Sequence, residues 1–195
     1  MDRPEFRFQF SGAACLLLSM MVLFLPLPWL CAMLLAAAVH EGCHWAALRL
    51  LGVRVSTIHL DIFAAQMEFA ELSRGREILC ALAGPVGSLS LLLLAGKFPR
   101  LAICGLVQGL YNLLPLYPMD GGRIICGLCH IWYSPPKAQK CFHIIEGIAC
   151  FFCCVLPVLF AFRGEMGLIF LGFLIVAAKS VSKWKQTVDK NFQKT

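Results

Sequence analysis

The stretch WLCAMLLAAAVHEGCHWAALRLL, residues 29–51, is apolar and long enough to cross a bilayer as a helix, yet it holds His40, Glu41 and His44. Ionisable groups at such a depth are costly, so imidazoles and a carboxylate placed this closely need a chemical reason. The rest of the chain decides whether the setting is a membrane.

Of the 195 residues, 59% are hydrophobic and 14% charged, the latter well under the roughly 25% usual in soluble domains. The mean hydropathy is +0.77. Apolar blocks alternate with short charged ones, so the expected fold class is an all-α polytopic membrane protein, one membrane-embedded domain over residues 1–195. Its core is expected at about residues 29–123. Six spans are predicted, at 8–25, 29–51, 76–96, 101–117, 141–162 and 166–180. The first lacks a small-residue cleavage site and is expected to be a retained helix rather than a signal peptide. The segment GVRVSTIHLDIFAAQMEFAELSRG (52–75) is rich in Val, Thr, Ile and Phe, and a short strand or β-hairpin is expected there, at the inner face.

The net charge of +6 is read through topology rather than as a nucleic-acid footprint, and no nucleic-acid partner is expected. With the N-terminus inside, 14 of the 17 Lys and Arg fall on inner segments, leaving Lys97, Arg100 and Arg163 outside. The positive-inside rule then puts both termini in the cytoplasm. The tail KSVSKWKQTVDKNFQK (179–194) serves that topology as an anchor for anionic headgroups. The 11 cysteines lie mostly within spans or on the reducing side, and are read mainly as small apolar fillers.

On a helix, His40 and His44 stand about 40° apart around the axis, so both imidazoles project from one face with the spacing that one zinc ion takes from two ligands. Glu41 stands about 80° round from the centre of that pair, where it can reach an attacking water without joining the ligands, as a general base does. Cys43 stands as far round on the other flank. It reads as a packing residue, although angle alone leaves it open as a soft ligand. The motif lies about 10 Å from the inner end of its span, a short route for water.

A hydrolytic zinc site takes three protein ligands and keeps a position open. The third ligand is expected from YNLLPLYPMDGGRI (111–124), where Pro115 and Pro118 interrupt a helix and Gly121 with Gly122 allows a tight turn. Asp120 is the one aspartate between Asp61 and the tail. Irregular backbone at membrane depth is tolerated where it lines a polar cavity or is buried in protein. Alone, Asp120 could be a plain helix cap; beside the histidines it is the candidate third ligand.

HEGCH (40–44), ALAGPVGS (81–88) and NLLPLYPMDGG (112–122), in that order, resemble the motifs of the site-2 protease family of intramembrane zinc metalloproteases. The resemblance covers about residues 29–123 and looks most like the branch that contains the stage IV sporulation protease. It implies His40, His44 and Asp120 as zinc ligands, Glu41 as catalytic base and Asn112 as a residue that steadies the substrate or the developing oxyanion. It also implies an active site near the cytoplasmic face. Ser88 stands where the family often has Asn, and neither a PDZ nor a CBS domain is expected.

The function expected is that of an intramembrane zinc endopeptidase cutting in or near a transmembrane segment of a membrane-associated protein substrate, such as a precursor transcription factor or an anti-sigma factor. An inhibitory or regulatory membrane partner would accompany it. The alternative is a membrane metal transporter or metal-binding scaffold, which needs no base at Glu41. Cleavage inside a helix requires local unwinding, and residues 53–69 could assist by pairing with the substrate as an edge strand. CGLCH (126–130) fits a haem-attachment pattern, but Cys126, Cys129 and His130 are expected on the wrong side of the membrane for that chemistry. His143 and Glu146 are read as interhelical hydrogen-bonding groups, and Arg123 as a partner that could orient Asp120.

Overall fold

A computed structural model describes residues 7–10, 12–53, 55–60, 65–69 and 72–162. The predicted sixth span, 166–180, and the lysine-rich tail lie outside the described residues. The chain divides into two compact units, Met1–Leu113 and Leu114–Thr195.

The first unit contains strand β1 (Arg7–Phe10), helices α1 (Gly12–Phe24) and α2 (Leu27–Leu50), strands β2 (Val55–Leu60) and β3 (Ala65–Phe69), and helices α3 (Arg74–Ser90) and α4 (Pro99–Asn112). A 3-10 turn, Leu91–Leu94, continues α3. Prolines in the first turns of α2 and α4 fit because the missing N–H falls where no helical acceptor exists. The end of α2 is closed by Gly52 at a φ of 74°. There Gly52 N–H donates to Arg49 O (3.0 Å) and Val53 N–H to Leu48 O (2.9 Å), the paired bonds of a left-handed glycine stop.

Helix α2 buries Leu30, Ala32, Ala36, His40, His44 and Leu48. From Ala32 onward these fall every fourth residue, one narrow stripe. Ala32 and Ala36 meet Leu91, Leu101 and Cys104, with Trp29 and Val39 alongside. Large side chains point the other way: Leu34, Leu35 and Leu50 of α2, Leu79 and Val86 of α3, and Val107 and Leu110 of α4 are exposed. Small residues inside and large apolar residues outside are the pattern of helices that associate in lipid, where tight approach replaces the hydrophobic effect as the driving force.

The sheet has the order β1-β2-β3. Strand β1 runs parallel to β2, and β3 antiparallel to it with Ile58 opposite Met67. Both edges of β2 are therefore occupied, and β3 is an end strand.

The second unit opens with residues 114–119, which include a cis Tyr117–Pro118 peptide, and continues into α5 (Asp120–Trp132) and α6 (Pro135–Phe162). Cys129, Ala138 and Phe142 form its buried centre, with Tyr117, Ile125 and Ile145 against them.

Several predicted boundaries are corrected. The helix expected from residue 8 starts at Gly12, because RFQF alternates polar and aromatic residues and forms β1 instead. The helix expected to run to residue 117 stops at Asn112, since Pro115 disfavours helical backbone before it. Where a span is expected from residue 141, a helix starts at Pro135, its first turns being too polar to register in an apolar run. Helix α5 lies between the fourth and fifth predicted spans. Against six expected spans, two described helices are long and apolar enough to cross a membrane, Leu27–Leu50 and Arg74–Leu94. Helices α1, α4 and α5 hold 13, 14 and 13 residues, under the roughly 17–25 that a straight span takes.

Candidate metal centre

In the first unit, His40 and His44 are both buried, and α3 fixes their orientation. His44 Nδ1 lies 2.8 Å from the backbone carbonyl of Cys80. A carbonyl can only accept, so Nδ1 carries the proton and neutral His44 keeps its Nε2 lone pair. His40 Nδ1 lies 2.8 Å from Ser88 Oγ, a partner that can donate or accept. The two Nε2 atoms are 3.2 Å apart, with the ring planes at 82°.

That arrangement has two self-consistent states. Without a cation, Ser88 donates to His40 Nδ1 and His40 Nε2–H donates to His44 Nε2. With one, His40 Nδ1–H donates to Ser88 and both Nε2 lone pairs are available to it. Two nitrogens each about 2.0–2.1 Å from a tetrahedral zinc would be about 3.3 Å apart, so the observed separation already fits the ion.

The AGP segment makes room for this pair. A Cβ on Gly84 would run into His44 Nε2 and lie 2.8 Å from His40 Cε1, so α3 can approach both rings only with glycine there. Gly87 plays the same part beside Cys43, whose thiol its missing Cβ would strike. Cys43 is thus in contact with α3 as a packing residue. Ser88 and Gly84 were not assigned functions from the sequence; the signal was the run of small residues at helical spacing, Gly84, Gly87 and Ser88.

Glu41 follows His40 on α2 and is partly buried. Asn112 is the last residue of α4, and its side-chain amide donates to Gln108 O at 3.1 Å.

In the second unit, Asp120 is the first residue of α5, buried at 6% exposure, where the helix dipole favours a negative charge. The flanking cap position belongs to Met119. Arg123 Nη1 lies 3.9 Å from Asp120 Oδ1, the pairing its sequence position invited. Gly122 lets α5 begin against the preceding turn, since a Cβ there would sit 2.6 Å from Leu116 O. Glu146 of α6 is 4% exposed and accepts a hydrogen bond from Tyr117 N–H at 3.2 Å.

The CGLCH cluster shows helix-internal bonding. His130 Nδ1–H donates to the Cys126 carbonyl at 2.8 Å, with Cys126 Sγ 3.7 Å away. Burial and a hydrogen bond with Cys141 push the Cys129 thiol up to about 11, so it stays protonated and a poor ligand at neutral pH.

The imidazoles of His40 and His44 in the first unit and the carboxylate of Asp120 in the second are each buried and are donor types that zinc prefers. The class these residues define is a candidate metal centre on membrane-type helices. No protein-family model matches the chain, and neither does any curated protein. Among solved structures, the fold is similar to that of the Site-2 Protease from Methanocaldococcus jannaschii, with a TM-score of 0.64 and 19% identity over 92% of this chain and 93% of that one. At that identity the likeness is one of fold.

Proposed function

We propose that the chain is a membrane-embedded zinc endopeptidase of the site-2 protease kind, hydrolysing a peptide bond in or near a transmembrane segment of a membrane-associated protein. The observation that carries this reading is the imidazole pair: Nε2 atoms 3.2 Å apart, each Nδ1 engaged, on a helix apolar enough to cross a membrane. The fold shared with a site-2 protease supports the same reaction class.

In this reading His40, His44 and Asp120 hold the ion, which when bound supplies Lewis acidity. Glu41 takes a proton from the attacking water and returns it to the leaving amine. Ser88 and the Cys80 carbonyl keep the imidazoles turned for ligation. Asn112 would exchange its bond to Gln108 O for one to the scissile carbonyl oxygen.

A transmembrane peptide bond is shielded by its own helix, so the substrate must unwind before attack. Strand β3, an end strand, is the edge on which an unwound segment could pair. The charge bias supports cytoplasmic termini and a site near that face. We infer a client of the anchored-regulator type, a transcription factor precursor or an anti-sigma factor, with a regulatory membrane partner; the motifs resemble those of the sporulation branch.

Glu41→Gln separates this reading from a metal transporter or scaffold. In purified protein presented with a single-span substrate, the variant should lose cleavage while keeping near one equivalent of zinc. Robust proteolysis by the variant would overturn the assignment.

A further inference from the structure

Asp120 begins its helix, so the direction of its carboxylate depends on the backbone of residues 114–119 as much as on α5. That turn is braced locally, by Leu116 N–H to Leu114 O at 2.8 Å and Met119 N–H to Leu116 O at 2.9 Å. Pro115 and Pro118 contribute no N–H. Tyr117 N–H lies between them and reaches outside the turn, to Glu146 Oε1 on α6 at 3.2 Å.

Glu146 is set for that bond. Its other oxygen lies 3.6 Å from His143 Nδ1, one turn back on the same helix. Burying a carboxyl is costly unless its oxygens find partners, and here a backbone N–H and an imidazole provide them. On its other side the turn abuts α5: a Cβ on Gly122 would lie 2.6 Å from Leu116 C and 2.7 Å from Tyr117 N. The Tyr117 peptide is therefore gripped by Glu146 and backed by Gly122, three residues before Asp120. A shift of that peptide must move the start of α5.

We propose that Glu146 is a positioning residue for Asp120, holding the Tyr117 peptide so that the Asp120 carboxylate is set for metal binding. This rests on the metal-site reading above. A group that orients a ligand typically changes metal affinity by about 10- to 100-fold when removed. By linkage, metal binding must in turn stabilise whatever holds the ligand.

The test uses full-length protein in detergent with zinc as the probe, affinity being read by competition with a chromogenic chelator and folding by helix content. Glu146→Ala should bind zinc about 10- to 100-fold more weakly. Glu146→Gln, which keeps an acceptor oxygen for Tyr117 N–H, should bind close to wild type. In the wild type, zinc should also slow hydrogen exchange at the Tyr117 amide, an effect that mere packing by Glu146 would not produce and that stands even if Glu146→Ala fails to fold. Wild-type affinity in a folded Glu146→Ala, or exchange at Tyr117 unmoved by zinc, would overturn the positioning role alone. A wild type that takes up no zinc would overturn the metal reading, and this inference with it.

Discussion

The two candidate imidazole ligands and the candidate carboxylate ligand are prepared by different means. His40 and His44 sit in the middle of a long helix whose backbone is fixed by its own ladder, so what needs fixing is the rotation of each ring. Ser88 and the Cys80 carbonyl do that at Nδ1, and Gly84 admits the neighbouring helix. Asp120 sits at a helix start after a proline-containing turn, so what needs fixing is the backbone itself, and Glu146 reaches the peptide of Tyr117 rather than Asp120. A ligand inside a helix is tuned through its side chain; a ligand at a helix end is tuned through the turn before it.

Gly84→Ala should break this contrast most severely. The new Cβ strikes only the far ends of the two imidazoles, which can swing aside, so the helices should stay folded while the ring positions are lost. Zinc content by elemental analysis should fall from near one equivalent to near zero with helix content unchanged; retained zinc would show that the rings are not where ligation needs them. Ser88→Ala should be milder, removing one Nδ1 partner and weakening zinc about 10- to 100-fold in the same chelator competition. Arg123→Ala should be milder still: at 3.9 Å with its side chain partly exposed, the pair with Asp120 is worth under about 1 kcal/mol, or about fivefold at most in zinc affinity.

A separate substitution probes substrate handling rather than ligation. Successive residues of a strand point their N–H groups to opposite sides, so of Gln66 and Met67 on β3 one faces β2 and the other the outer edge. Proline at the outward position should slow cleavage severalfold with zinc content intact. Equal cleavage by both proline variants and wild type would remove strand pairing from the account. Proline at Val55 or Ile58 would not make the same test, because both lie on β2, whose two edges are already paired.

The sequence made the local parts of this legible. His40, Glu41 and His44 share a helix, so their angles follow from spacing, and Asp120 was marked by the prolines and glycines around it. The parts set by tertiary approach were not. Gly84 and Ser88 matter because of where α3 meets α2, and Glu146 because α6 brings it to a peptide 29 residues earlier. Helix α5 was hidden by its paired glycines and short length, and β1 by the apolar run that follows it.

Zinc K-edge X-ray absorption on the purified protein tests the central claim most directly. Two imidazole nitrogens at about 2.0–2.1 Å with oxygen donors completing the shell, and no sulfur, is the result this account predicts. A sulfur shell at about 2.3 Å would contradict it, transferring the metal to Cys43 or to the cysteines of α5.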